Sequence, residues 1–546
     1  MIAAATRLGW QRGVHLAMLA RVAGLGLVMV LSETRLPSII GSLDPLGNLV
    51  RFMAGEMLLL LALGAVSLAL PFRNMGTIVG LAFVGCLLAS VLGGVAWPNS
   101  GDEYSYVFLA DLMTHGRIAT EPPPDLALFK NFHVLVHDGR MFSPYPPGWS
   151  ALLAPFRALG VEILVNPLLT VLLGTVLAGT LARLGVGKGV RRAAVALVLL
   201  VPFTLFLGGS VFPHTLAATT VVGIVWLQVA DEVGPGRRRK LSIGVLFGVL
   251  LMTRYDVLAL AALPYVVDRL MIRRLKAFGD AVWVAFGFLP FVALHLYYNM
   301  SLTGNPRIFP VVWGGMEDLS SPELTFGTRA LLALAQNVQF TGELALFGGL
   351  PVAALALLSL GARVRAGTCR FWDFFLPSAI VFYSFIPFSG GHQYGPRYWF
   401  WAFPICVVAV VTSLVDTSGL LRVGGRHVAF EGFAACCLLC GSILFAGLLV
   451  TTRVYMQARQ EVYATLPPMQ PAIVLVPDRL LVLWPWQQES IEALSLDFTR
   501  NDPSFTGPVL FARYNTEHSV LRACQLPDRN VYRWITPGKL QAMTCP

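Results

Sequence analysis

The sequence predicts a mainly α, polytopic membrane protein that carries a small polar α/β domain at its C-terminal end. Three observations predict this. Of 546 residues, 56% are hydrophobic and only 13% charged, an apolar share too large for a soluble chain that must cover itself with polar surface. The apolar residues gather into runs of membrane-spanning length, and the Lys and Arg residues fall in short loops between them. Only residues 454–546 are polar over a sizeable stretch. A net charge of +10 therefore reads as membrane topology rather than as affinity for nucleic acid.

Taken in order, apolar runs suggest spans near 14–32, 52–71, 76–97, 161–183, 191–208, 214–230, 278–300, 340–361, 373–389, 398–415 and 430–451. A broken pair near 241–253 and 257–268 brings the total to about thirteen membrane segments, each member of that pair being shorter than the ~20 residues of a full crossing. Arg254-Tyr255-Asp256 sits at its junction, and the pair is expected to form a hairpin reaching the far interface. The first run leads straight into further apolar sequence without a clear cleavage site, so it is expected to stay as a span. The basic clusters include Lys188, Arg191 and Arg192; Arg237 to Lys240; Arg273, Arg274 and Lys276; and Arg363, Arg365 and Arg370. All fall on one side if the N-terminus is cytoplasmic. The loops at 97–160, 301–339 and 389–397 then face outward, rich in Pro, Gly and aromatic residues. Within them Tyr104 to His115 and Glu323 to Asn337 have the spacing of short interfacial helices. No solenoid repeat and no clear pair of matching halves is evident.

Residues 454–546 contain strand-like runs at 472–476 and 509–512, as in a small α/β cap outside the membrane. Three divisions follow: 1–75 with two leading spans, 76–453 as the membrane domain and 454–546 as the cap. Cys86, Cys406, Cys436, Cys437 and Cys440 lie in apolar runs and read as ordinary small membrane residues. Cys524 and Cys545 lie in the cap, on the side where disulfides persist, and are expected to pair.

The chemistry gathers in the outward loops. Gly101-Asp102-Glu103-Tyr104 places two adjacent carboxylates just past the span at 76–97. There Asp102 can accept a proton from a hydroxyl while Glu103 orients it, holds a second hydroxyl or binds a cation; a solvated loop pair is the plain alternative. Tyr145-Pro146-Pro147-Gly148-Trp149 is stiffened by two prolines and either starts a helix or offers Tyr145 and Trp149 to a sugar ring. Gly390-Gly391-His392-Gln393-Tyr394-Gly395-Pro396-Arg397-Tyr398 lies at an outer mouth between two spans. Arg397 presents a donor fork that suits phosphate oxygens, with His392 and Tyr394 beside it, although an interfacial arginine with its head in the headgroups would look the same. Arg254 and Asp256 form either a structural ion pair or part of a substrate site. Tyr104 and His214 are further candidates for substrate contact, His214 having a helix-capping role as its alternative. Gly185-Val186-Gly187-Lys188-Gly189 lacks the frame and the Ser or Thr of a phosphate loop.

The order of these features resembles the GT-C superfamily of integral membrane glycosyltransferases: Asp-Glu in the first long outer loop, Tyr-Pro-Pro-Gly, a basic broken pair, Tyr-Gly-Pro-Arg-Tyr and an outer C-terminal cap. More closely, it resembles bacterial relatives of protein O-mannosyltransferases and of lipid A aminoarabinose transferases, over residues 76–460. The resemblance implies a sugar donor carried on polyprenyl monophosphate and a glycan, lipid or protein acceptor. It implies that Asp102, with Glu103 beside it, is the essential acidic residue, and that Arg397 contacts the donor phosphate, with Arg254, His392 and Tyr394 near it. The Pro-Pro motif of the aminoarabinose branch follows a lysine, whereas Tyr145 stands here, and two extra spans precede the Asp-Glu loop.

The implied reaction is a single in-line displacement that inverts the anomeric carbon. No obligatory metal is expected, with a divalent cation at the acidic pair as the alternative. The implied location is the bacterial inner membrane, with the cap in the periplasm. A transporter or lipid flippase is the strongest reading from another class, and a non-catalytic envelope assembly protein a third.

Overall fold

A computed structural model of the protein describes residues 74–546, apart from 99, 130–132, 274–275, 315–340, 342–343, 345–347, 385–393, 424, 469–470, 478–499 and 537. The predicted spans at 14–32 and 52–71, the helix at Glu323 to Asn337 and His392 lie outside the described residues.

The membrane domain is helical. Helix α1 (Met75–Val91) is followed by the segment 92–164, which holds α2 (Gly101–Thr114), a hairpin of β1 (Leu135–His137) and β2 (Arg140–Phe142), and α3 (Pro147–Ala158). The chain then builds α4 (Val165–Arg183), α5 (Lys188–Leu199), α6 (Pro202–Gly209), α7 (His214–Val233), α8 (Arg237–Leu251), α9 (Tyr255–Arg273) and α10 (Lys276–Thr303). Further along the chain come α11 (Leu350–Ala366), α12 (Phe375–Ser384) and α13 (Phe403–Ser413). The hairpin of β3 (Leu420–Val423) and β4 (Arg426–Ala429) precedes α14 (Phe430–Ala464).

Among the described residues, the stretches Glu162–Arg183, His214–Val233, Gly279–Thr303 and Phe430–Leu449 are long and apolar enough to cross a membrane. The expected single span at 191–208 is instead the bent pair α5 and α6, turned by 55°. Proline explains the bend, since Pro202 has no amide donor and holds Val201 in an extended conformation (φ −79°, ψ 150°). The expected broken pair is present as α8, of 15 residues, and α9, of 19, which meet at the Met252-Thr253-Arg254 turn. Helix α8 runs against α10, where Gly244 and Gly287 let the two backbones approach.

Helix α14 is longer than a single crossing needs. Its 35 residues span roughly 50 Å at 1.5 Å per residue, so the expected boundary at 454 falls inside a helix that leads into the polar segment. The polar segment beyond it forms a four-stranded sheet of β5 (Ala472–Pro477), β6 (Val509–Tyr514), β7 (Asn530–Thr536) and β8 (Lys539–Ala542) in the order β6-β5-β7-β8. Strands β6, β5 and β7 are parallel and β8 is an antiparallel edge. The run Ile473 to Val476 is wholly buried, as a central strand covered on both faces requires. Helix α15 (Glu517–Cys524) connects β6 to β7, and Cys524 is disulfide-bonded to Cys545.

This sheet shares a core with the segment 92–164. Phe108 and Leu112 of α2, with Leu128, Phe129 and Met141, pack with Ile473, Leu475, Leu510 and Phe511. Arg522 of α15 also reaches Asp125 at 3.1 Å. Helix α2 is therefore held between the membrane helices and the cap.

Candidate active site

Helix α2 begins at the acidic pair, so Asp102 and Glu103 lie in its first turn rather than in a loop. Ser100 caps it, its Oγ accepting from the Glu103 amide at 3.2 Å and donating to Glu103 Oε2 at 3.1 Å. Successive helical residues point about 100° apart, and the two carboxylates diverge accordingly. Glu103 is fully buried against the helix start, while Asp102 faces the polar centre. They do not share one binding point.

Three side chains converge on Asp102. Arg397 donates to Oδ2 at 2.8 Å, His133 Nδ1 lies 2.9 Å from Oδ1, and the Tyr145 hydroxyl donates to the same Oδ1. Burial by itself would raise the Asp102 pKa. The His133 hydrogen bond, the Arg397 charge and the Tyr145 hydrogen bond outweigh it and hold the carboxyl well below the usual carboxylate range. Burial and the Asp102 charge push the Tyr145 phenol well above its ordinary value, so Tyr145 is a neutral hydrogen-bond donor here.

Two glycines bring these groups together. Gly395 adopts φ 80°, a left-handed conformation that suits glycine, and its carbonyl accepts from the Arg397 amide at 2.7 Å in the turn that delivers the guanidinium. Gly148 presses its backbone against the α8–α9 turn: its amide donates to the Met252 carbonyl at 2.7 Å, and a Cβ there would stand 2.6 Å from that oxygen. The Pro-Pro-Gly segment thus joins the Asp102 helix to the Arg254 turn. Ser143 adds a 2.7 Å hydroxyl contact to Ser105 of α2, and Ser150 donates to the Tyr106 carbonyl at 2.9 Å.

Arg254 forms a second, adjoining centre. Its Nε and Nη2 donate to the two oxygens of Asp256 at 2.9 and 2.5 Å, and its Nη1 lies 2.6 Å from His214 Nε2. Tyr383 donates to Asp256 at 2.6 Å and stacks on Tyr398 with ring centres 4.9 Å apart. Tyr398 links the centres, with the Arg254 guanidinium 5.4 Å and that of Arg397 5.6 Å from its ring centre. Two buried arginines thus flank one aromatic ring, each matched by a carboxylate. Arg397 Nε is buried and has no hydrogen-bond partner among the described residues, which leaves that guanidinium donor capacity for a further anion.

The other sequence candidates sit farther back. Tyr394 is fully buried behind Arg397, against Phe206 and Phe212, and Phe212 also carries the Arg397 guanidinium 4.5 Å from its ring centre. Trp149 is core: it is fully buried, and its indole donates to the Val211 carbonyl at 2.8 Å. Tyr104 is fully buried and accepts from Arg459 of α14, which also donates to the Pro98 carbonyl at 3.0 Å. Trp149 and Tyr104 therefore brace the site instead of facing a sugar, because their polar tips are engaged by the scaffold. Among the described residues no group of three or more His, Cys, Asp or Glu side chains is arranged to hold a metal ion.

Sequence reading missed His133 and Tyr383 as site residues and quoted Tyr398 only as part of a motif. His133 has a backbone signature, φ 61° in a residue other than glycine, but sequence does not carry that signal. Tyr383 has one, a phenol near the outer end of an otherwise apolar run.

No family model and no curated protein sequence matches the chain. Among solved structures, it is similar to ArnT from Cupriavidus metallidurans in the apo state, at 13% identity and TM-score 0.49, over 84% of this chain and 92% of that one. The same protein bound to undecaprenyl phosphate gives 12% and 0.49 over the same shares. The Archaeoglobus fulgidus oligosaccharyltransferase in its apo form gives 12% and 0.40 over 80% of this chain and 65% of that one.

Proposed function

We propose that the protein is an inverting glycosyltransferase of GT-C type that moves a sugar from a polyprenyl-phosphate donor to an acceptor hydroxyl at the outer face of the membrane. The observation that carries this reading is the meeting of Asp102 and Arg397 at 2.8 Å across 295 positions of sequence, with Arg254 beside them over the same Tyr398 ring. A carboxylate next to two buried guanidinium groups is what proton removal and phosphate departure together require.

In the proposed reaction the acceptor oxygen bonds to the anomeric carbon as the bond from that carbon to the phosphate oxygen breaks. The electron pair leaves on polyprenyl phosphate, and the acceptor proton passes to Asp102. Phosphate is a good leaving group, so Arg397 and Arg254 are assigned its charge and no general acid or metal ion is invoked. Donor binding also prepares the base. When Arg397 turns toward phosphate, Asp102 loses the cation that keeps it weakly basic, and its proton affinity rises as the acceptor arrives. Glu103 holds the helix start that aims Asp102. The basic loops support a cytoplasmic N-terminus in a bacterial inner membrane, with the site and cap facing the periplasm.

The test uses the full-length protein in lipid nanodiscs with labelled undecaprenyl-phosphate sugars. One undecaprenyl phosphate should be released per sugar transferred, and Asp102→Asn should abolish release. Movement of the intact labelled donor across a vesicle bilayer without release would replace the enzyme with a flippase.

A further inference from the structure

A separate polar cluster lies on the other side of the Arg254-Tyr255-Asp256 turn, at the end of α10 that meets the β1–β2 hairpin. His295, Tyr298 and Asn299 share one face of α10 at i, i+3 and i+4, and their relative exposures are 4%, 5% and 1%. Tyr255, the first residue of α9, sets its ring edge-on to His295 with centres 5.4 Å apart, and Phe309 closes the group at 5.2 Å from Tyr255 and 5.4 Å from His295. Tyr298 packs with Phe142 and Leu302, and Arg140 of the hairpin donates to the Leu302 carbonyl at 3.0 Å. The hairpin that leads to Tyr145 therefore roofs this cluster.

Its internal hydrogen bonding is incomplete. Asn299 Nδ2 reaches the Pro306 carbonyl at 3.1 Å and His295 Nε2 at 3.3 Å. The hydroxyls of Tyr255 and Tyr298, His295 Nδ1 and Asn299 Oδ1 are buried and have no hydrogen-bond partner among the described residues. Polar atoms withdrawn from water are ordinarily paired, and polar side chains inside a membrane domain mark sites that ligands use. Every unpaired atom here belongs to a neutral side chain that can donate, accept or both, and aromatic rings line the group. That chemistry does not suit phosphate, which the two arginines already serve. It suits the hydroxyls and apolar face of a sugar ring.

We propose that Tyr255, His295, Tyr298 and Asn299 form a sugar-recognition subsite, which rests on the transferase reading for its place beside the donor phosphate. The sugar comes from the donor or from a glycan acceptor, and the shared chemistry is a neutral, hydroxyl-rich ring.

The experiment compares the full-length protein with Tyr255→Phe, Tyr298→Phe and Asn299→Ala in nanodiscs. The first two remove only a hydroxyl and keep the rings. Binding is measured for undecaprenyl phosphate, for undecaprenyl-phosphate mannose and arabinose, and for methyl mannoside and methyl arabinoside. A donor sugar predicts that the variants weaken sugar-bearing donor about tenfold, the scale of one lost hydrogen bond to a hydroxyl, with binding of undecaprenyl phosphate alone unchanged and, in the two Phe variants, which break no hydrogen bond within the protein, the thermal midpoint unchanged too. An acceptor sugar predicts the same loss for the methyl glycosides, with the donor unaffected. Sugar binding within twofold of the parent in all three variants overturns the subsite, as does an equal loss for undecaprenyl phosphate with and without sugar. Sugar-dependent binding that the variants lose, without any release of undecaprenyl phosphate by the parent, keeps the subsite and removes the transferase reading.

Discussion

The ion pairs around Asp102 and Arg254, at the mouth where α7 and α9 begin, and the Arg370–Glu232 pair at the other end of the same helices sit in different surroundings. At the mouth Arg397 and Asp102 have side-chain exposures of 5% and 13%, and their partners come from four separate parts of the chain. At the other end Arg370 reaches Glu232 at 2.8 Å with exposures of 41% and 25%, while Arg269 beside them is buried against its own neighbour, Asp268, at 9% and 10%. Exposed pairs contribute about 0–1 kcal/mol because water and salt screen them. Buried pairs carry a desolvation cost that their attraction only just offsets. The contrast teaches that the Arg370–Glu232 pair contributes modest stapling, whereas the Asp102 and Arg254 centres hold costly buried charges, which the proposed transfer reaction would use.

The sharpest way to break that comparison is Asp102→Asn. It should lower turnover about a thousandfold, within the range of general-base loss, and leaving Arg397 buried without its carboxylate should cost roughly 3–5 kcal/mol of stability. Steady-state kinetics and thermal unfolding of the same preparation read both. Next, Arg397→Ala should weaken undecaprenyl-phosphate binding about a hundredfold and leave acceptor binding within a few-fold, as for a lost charge-assisted contact. Equal losses for both ligands would make Arg397 structural.

Removing the cap disulfide by Cys524→Ser should destabilise the cap by about 3 kcal/mol, as a loop of 21 residues implies, and speed its proteolysis. Tyr145→Phe deletes one hydrogen bond to the Asp102 carboxylate, about 2 kcal/mol, and should slow turnover about tenfold. It should also raise the Asp102 pKa toward its ordinary value. In the parent that pKa is depressed, so the stability it brings is fully present above the unfolded carboxyl value near pH 4. It fades only as pH falls through the lower native value. The acid limb of stability should therefore shift upward in Tyr145→Phe. Smallest of all, Arg370→Ala should change stability by less than about 1 kcal/mol, and a larger effect would erase the contrast between the two ends.

Much of the membrane architecture was legible because long apolar runs have few alternatives in lipid: Glu162–Arg183 and His214–Val233 are long apolar helices where their composition predicts them. Local steric rules overrode composition at 191–208, where Pro202 bends one apolar run into two helices. The Asp-Glu pair was legible as an anomaly beside a span, yet its helical setting depends on a cap at Ser100 that a loop reading overlooked. Trp149 and Tyr104 looked like sugar ligands because aromatic side chains at an outer interface serve packing and recognition equally. Only their partners, the Val211 carbonyl and Arg459, separate the two roles.

By itself the sequence determined that the chain is mainly helical with apolar segments long enough to cross a membrane, where its basic clusters fall along the chain, and which short segments hold the candidate polar side chains. These follow from composition and from spacing along the chain, which act locally. The tertiary structure alone decided that Asp102 meets Arg397, His133 and Tyr145, that Arg254 shares Tyr398 with Arg397, and that Asp102 and Glu103 part company. Those contacts join residues up to 295 positions apart, and they depend on a left-handed turn at Gly395 and on the close approach of Gly148 to Met252. A carboxylate's basicity is set by whatever charges lie within a few ångströms, and only the packed chain determines which charges those are.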